Sequence, residues 1–196
     1  MSHHIILVGA LHSGSTNRSL AEALLRHLPD GDTADIYEGL RDVPFYDSDL
    51  DVPGREPEAA ATLRKAVADA DSVIFVTPEY NHTAPAVLVN AIDWLSRPEG
   101  KGALVRKPAL IIGATPKPKK LDGAVRTLVD ALTGLQGDLV PTAYTWSDAH
   151  AVFQDRHPGD VDEVTAVLRK AHRELAQRID RGRRQPERPR GEFATD

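Results

Sequence analysis

With 196 residues, of which 41% are hydrophobic and 27% charged, the chain has the make-up of one globular domain long enough to bury a sizeable core. It contains no cysteine, which excludes disulfide scaffolds, thiolate zinc sites, iron–sulfur clusters and cysteine nucleophiles. A formal net charge of −5 argues against nucleic-acid binding, and no apolar run reaches membrane-spanning length, so a cytoplasmic protein is expected.

In chain order, Ile5 to Val8 is an unbroken apolar run ended by Gly9, as in a parallel strand covered on both faces. A polar loop follows. From Ser19, Leu20, Leu24 and Leu28 recur at every fourth residue, which predicts a helix ended by Pro29-Asp30-Gly31. Thr33 to Tyr37 reads as a second strand and Asp42 to Pro57 as a long irregular connection. A helix over Glu58 to Ala70, a strand over Ser72 to Val76 and a helix from Pro85 through Trp94 come next. Pro108 to Gly113 then predicts a buried strand, Leu121 to Leu132 a helix and Asp138 to Tyr144 a weaker fifth strand. Val161, Val164, Leu168, Ala171, Leu175 and Ile179 lie on one stripe of a last helix. The domain is expected over residues 1–181, and 182–196, basic and almost without apolar residues, as a disordered tail.

Strands alternating with helices predict an α/β doubly wound parallel sheet of five strands in the order 2-1-3-4-5. Such a sheet binds ligands at its switch point, here between the first and third strands. The loop after the first strand, Gly9-Ala10-Leu11-His12-Ser13-Gly14-Ser15-Thr16-Asn17, suits a terminal phosphate. Its helix N-terminus, its hydroxyls at 13, 15 and 16, the Asn17 amide and the freedom of Gly14 all favour an anion. The lysine of a nucleoside-triphosphate loop is missing after Gly14, which argues against a kinase or triphosphatase. The same residues are also what a helix cap uses.

After the third strand, Pro78-Glu79-Tyr80-Asn81-His82-Thr83-Ala84-Pro85 is stiffened at both ends by proline and offers main-chain groups and a ring to a flat heterocycle. Tyr80 and Trp94 also read as simple packing residues. His12, His27, His82, His150, His157 and His172 lack the spacing of a zinc helix, and His3-His4 reads as a mobile terminus with adventitious affinity, so no metal site is expected. Ser13 and Ser15 do not lie in a nucleophile elbow.

The stretch TPEYN…P…NAIDWLSRP, Thr77 to Pro98, resembles the NADPH-dependent FMN reductase family, whose flavodoxin-like members include quinone, azo-dye and chromate reductases, and the order of elements matches from Ile5 to about Ile179. The resemblance implies noncovalent FMN reduced by NADPH or NADH, with ping-pong delivery to a quinone, azo, nitroaromatic, metal-oxyanion or free-flavin acceptor. It also implies a homodimer or homotetramer.

By that resemblance His12, Ser13, Ser15 and Asn17, with the amides around Gly14 and Thr16, hold the FMN phosphate. Pro78, Glu79, Tyr80 and Asn81 line the ring, mainly through backbone, with Gly113 and Thr115 near its other side. Apart from the resemblance, His82 follows this loop and reads either as facing substrate to donate a proton or as a surface residue beside the pocket; no side chain is assigned a catalytic role. Where the family usually has serine and arginine, this chain has Ala10 and His12, and an imidazole is charged only in part near neutral pH. Gly113 to Lys120 replaces a glycine-rich segment, with Lys117, Lys119 and Lys120 either attracting NADPH phosphates or simply solvated. These departures suggest an alternative, a flavodoxin-like binding or regulatory module with weakened flavin use; a biosynthetic reductase specialised for one aromatic metabolite is a further enzyme alternative.

Overall fold

In this computed structural model, which describes residues 1–184, the apolar runs become strands of one parallel sheet. The elements are β1 (His3–Val8), α1 (Thr16–Arg26), β2 (Thr33–Ile36), α2 (Glu58–Asp69), β3 (Ser72–Val76), α3 (Ala86–Leu95), β4 (Pro108–Ala114), α4 (Asp122–Gly134), β5 (Asp138–Leu139), β6 (Tyr144–Trp146), α5 (Ala149–Phe153) and α6 (Asp162–Arg184). The order is β2-β1-β3-β4-β5, with β6 also on β4, and all pairings are parallel. This is the flavodoxin-like arrangement that the alternation of runs predicts.

The fifth strand departs from expectation. Instead of one strand over 138–144, two short ones pair with the same edge of β4: Leu139 lies opposite Ala109 and Tyr144 opposite Ile112. Five steps of chain therefore face three on β4, and the surplus bulges outward around Pro141, which has no N–H for the ladder. At the other end of the chain, α6 continues to Arg184, past the expected boundary at 181. The rest of the predicted tail, 185–196, lies outside the described residues.

Alternation along the central strands sends side chains to two cores. Ile5, Leu7, Val73 and Phe75 face one layer with α2, α3 and α4, while Ile6, Val8, Ile74 and Val76 face the other with α1 and α6. Trp94 on α3 is fully buried, with the Tyr46 ring edge-on at 5.0 Å and the Arg64 guanidinium 5.2 Å from its centroid, so it packs.

Side-chain hydrogen bonds pin the long connection between β2 and α2. Asn90 Oδ1 accepts from the Tyr46 N–H at 2.8 Å, and the Trp94 indole donates to the Pro44 carbonyl at 2.8 Å. Arg64 forks onto both oxygens of Asp51 at 2.7 and 2.9 Å and also donates to the Trp94 carbonyl. Phe45, held between these anchors, is 80% exposed.

Hydrogen bonds from Arg64 hold the Asp51 carboxyl below its ordinary value against the opposing effect of burial. A carboxylate with a depressed pKa contributes stability that is present above its unfolded value and lost as pH falls through its folded one. Urea unfolding should therefore show a stability gap between wild type and Asp51→Asn that is open at about pH 7 and closes as pH falls below about 4. A gap that stays constant across that range would show that the pair adds nothing.

Candidate functional site

The loops after β1 and β3 leave the sheet side by side. Gly9 N–H still donates to the Val76 carbonyl and Thr77 N–H to the Ile112 carbonyl, both at 2.9 Å, so each loop starts at the last rung of a buried ladder. A Cβ on Gly9 would press into Pro85 and Leu88, at the far end of the second loop. The two loops thus meet at the switch point between β1 and β3.

In the first loop Leu11, His12, Ser13 and Gly14 are exposed, and Gly14 has φ +75° with open space around it. Among the described residues, the N–H groups of Leu11, His12, Ser13, Gly14, Thr16 and Asn17 find no protein acceptor. These donors lie at the positive end of α1, where unpaired backbone N–H groups and the helix dipole favour an anion. Ser15 is buried and serves the helix, its Oγ accepting the Arg18 N–H at 3.3 Å. The buried Asn17 side chain is also engaged: Nδ2 donates to the Ala114 carbonyl at 2.8 Å and Oδ1 accepts the Ala114 N–H at 2.9 Å. Of the side chains expected at the phosphate, His12 and Ser13 are thus the exposed ones. Asn17 ties α1 to the end of β4.

Two cations unassigned from the sequence flank this loop. A cavity of about 480 Å³ on its β2 side is lined by His12, Ser13, Arg18, Tyr37, Glu38 and Arg41, among others. Arg18 is held by Glu22 at 3.1 Å and Glu38 at 2.6 Å, and Arg41 donates to the Leu11 carbonyl at 2.7 Å. Arg18 lies in the first turn of α1 and Arg41 in a 3-10 turn over Glu38–Asp42 that follows β2. Arg41 brings permanent charge to a loop that lacks it at position 12, while that of Arg18 is balanced by its two glutamates.

In the second loop, Tyr80 and Thr83 exchange N–H···O=C bonds of 3.1 and 3.0 Å across Asn81 and His82, which have φ +49° and +61°. Positive φ at both central residues makes a tight reversal of the hairpin kind, which suits Asn81. Tyr80 is 46% exposed, and the His82 side chain, at the apex, is 81% exposed. The N–H groups of Glu79, Asn81 and His82 have no protein acceptor among the described residues, giving a second set of donors suited to the carbonyls and ring nitrogens of a flat heterocycle.

The Glu79 side chain turns inward and is only 3% exposed. Its Oε2 accepts from Gly123 N–H at 2.8 Å and Ala124 N–H at 3.1 Å, capping α4, while Oε1 lies 3.3 Å from Lys119 Nζ and 3.6 Å from His82 Nδ1. Burial would raise its pKa, but the Ala124 and Gly123 amides and the Lys119 ammonium outweigh that and hold it down, so it stays ionised. Only its backbone is left for a ligand. Lys119 is thereby placed on Glu79, with Lys117 and Lys120 exposed nearby.

Gly113 and Gly123 make the closeness of these segments possible. A Cβ on Gly113 would overlap the Thr77 carbonyl, and one on Gly123 the His82 carbonyl. Thr115 is half-buried, its N–H donating to Trp146 and its carbonyl accepting from Ala149. The structure therefore gathers His12 to Thr16, Pro78 to His82, Gly113 and Thr115 at the carboxyl ends of β1, β3 and β4.

Comparison with known proteins bears on the same region. A family model described as NADPH-dependent FMN reductase matches residues 3–151. A 2-hydroxy-1,4-benzoquinone reductase of a Burkholderia species is 40% identical over 110 residues, covering 56% of this chain and 58% of that one. A quinone reductase of Pseudomonas putida is 38% identical over 111 residues, covering 57% and 59%. The chain thus spans somewhat over half the length of these curated relatives. Among solved structures, the flavoenzyme NAD(P)H:(acceptor) oxidoreductase FerB of Paracoccus denitrificans superposes with a TM-score of 0.79 at 29% identity, covering 92% of this chain and 98% of that one.

Asn17→Ala would leave the Ala114 N–H and carbonyl without partners at a buried position. It should cost about 1–3 kcal/mol in urea unfolding. A loss below a few tenths of a kcal/mol would show that the tie between α1 and β4 carries no weight.

Proposed function

The chain belongs to the NADPH-dependent FMN reductase family, and from that premise we propose an NAD(P)H-dependent reductase that holds FMN noncovalently between the loops after β1 and β3 and reduces a quinone-type acceptor. The observation that carries this reading is two sets of N–H groups without a protein acceptor among the described residues, one at a helix N-terminus and one on a proline-bounded turn, at the carboxyl ends of neighbouring strands. Leu11 to Gly14, Thr16 and Asn17 would take the phosphate through backbone, with the Ser13 hydroxyl and His12 adding to it. Arg41 raises the local positive potential without leaving the Leu11 carbonyl, whereas the charge of Arg18 is taken up by Glu22 and Glu38. The amides of Glu79, Asn81 and His82 would hold one edge of the ring, Tyr80 would cover it, and Gly113 and Thr115 would border its other side.

Bound there, FMN would supply two-electron chemistry between a reduced nicotinamide and a quinone, which with two protons gives a hydroquinone. Quinones are the acceptor class favoured here because the relatives from Burkholderia and Pseudomonas putida are named for quinone reduction. The side chains position and shield. Glu79 fixes the turn against α4, and the prolines at 78 and 85 limit its movement.

The same reading includes a homodimer in the cytoplasm. The absence of cysteine suits a reducing compartment, and no helix among the described residues is long and apolar enough to cross a membrane. The exposed Phe45, rigidly mounted beside α3, supplies an apolar anchor for a second copy.

Purified protein given FMN should take up one flavin per chain, bleach on addition of NADPH or NADH and recover colour with a benzoquinone. Protein that stays colourless and inert ends the proposal. If the exposed His12 ring reaches the phosphate, His12→Ala should weaken FMN binding several-fold in fluorescence titration. Equal affinities in wild type and His12→Ala would remove His12 from the site. Light scattering should give twice the chain mass for wild type and a monomer for Phe45→Asp. A monomeric wild type would rule out the dimer.

A further inference from the structure

At the amino ends of the strands, on the opposite edge of the sheet from the flavin loops, three potential ligands from distant parts of the sequence converge. They are His4 on β1, Asp32 just before β2 and His172 on α6. His4 is fully buried and His172 almost so. His4 Nε2 lies 3.1 Å from His172 Nε2 and 3.7 Å from Asp32 Oδ2, and His172 Nε2 lies 3.3 Å from that same oxygen. We propose that His4, His172 and Asp32 form a tetrahedral zinc(II) site with one open position.

The triangle supports this choice. Zinc bonds to imidazole nitrogen and carboxylate oxygen of roughly 2.0–2.2 Å in a tetrahedron place ligand atoms about 3.3–3.5 Å apart, the middle of the observed range, whereas octahedral cis ligands would lie at about 2.9 Å. A point equidistant from the three atoms in their plane is about 2.0 Å from each, so zinc would sit slightly out of the plane, towards a fourth ligand. The imidazoles meet nitrogen to nitrogen, with ring centroids 5.0 Å apart and planes at 89°. Two imidazoles on one tetrahedral ion bring their centroids to about that distance.

The surroundings orient the ligands. The Ser72 hydroxyl, fully buried on β3, lies 2.7 Å from His4 Nδ1; with that nitrogen donating to it, the lone pair of Nε2 is left for the metal. Asp32 Oδ1 accepts the Ser2 N–H at 2.8 Å, which turns Oδ2 towards the imidazoles. Burial disfavours the protonated form of both rings, and neutral imidazole is the ligating species. Without a cation, a single N–H on His172 Nε2 faces two acceptors and can point at only one of them. Asp32, partly open to solvent, gives water or a small ligand access to the fourth position.

Tag-free protein stripped with chelator and loaded with cobalt(II) should show the intense visible bands of tetrahedral cobalt at one ion per chain. Zinc should abolish them and raise the melting temperature. Ser72→Ala should weaken zinc affinity by about 10- to 100-fold while keeping all three ligands. Asp32→Asn and His172→Gln should lose the tetrahedral spectrum, with circular dichroism reporting that each remains folded. A spectrum of hydrated cobalt only in the wild type would overturn the site, as would equal zinc affinity in wild type, Ser72→Ala and Asp32→Asn, which would place the ion on other histidines such as His3. None of these measurements requires flavin.

Discussion

The whole site depends on where β3 stops. That strand is buried on every side, between β1 and β4 and between two helical layers, so its backbone has no partner other than the ladder. The last rung, Thr77 N–H to the Ile112 carbonyl, fixes the point of departure of Pro78–Pro85. The neighbouring rung, Gly9 N–H to Val76, does the same for the loop after β1. From there the two loops are released from the ladder together, and apart from the Tyr80–Thr83 pair most of their amides find no protein acceptor among the described residues. A sheet that leaves donors without partners at one rim has the chemistry to receive an anionic ligand there.

A second layer of contacts holds that rim in shape. Asn17 reaches both polar groups of Ala114, locking the start of α1 to the end of β4. Glu79 performs a comparable task from the other side, joining the tight turn to the first amides of α4 and to Lys119. Both are polar groups removed from water and fully engaged by protein, the condition under which buried polarity defines geometry. The exposed rim is consequently built mostly of main chain, whose geometry tolerates changes such as Ala10 and His12 better than an arrangement of side chains would.

Much of this was legible in the chain. β3 was readable to the residue because five consecutive apolar or small residues buried on both faces have no competing interpretation. The two loops stood out because donors, glycine and proline cluster where strands end. Less was readable wherever the partner is far away in sequence. Asn17 and Glu79 are recognisable as donors or acceptors, but nothing near them names Ala114 or α4. The division of the fifth strand turns on Pro141 meeting a fixed β4 register, a tertiary constraint. His4 looked like part of a loose terminus because its partners lie 28 and 168 positions away, and Arg18 and Arg41 reach the first loop from outside any motif.

The interrupted β5–β6 edge has a consequence for how copies of this protein meet. One margin of the sheet is a two-residue strand, a bulge carrying a proline and a three-residue strand, and the other is the four-residue β2. Neither presents a long, regular row of free amides and carbonyls, so strand addition between molecules has little template to grow on. Open-ended stacking by strand addition is therefore disfavoured at both margins of the sheet.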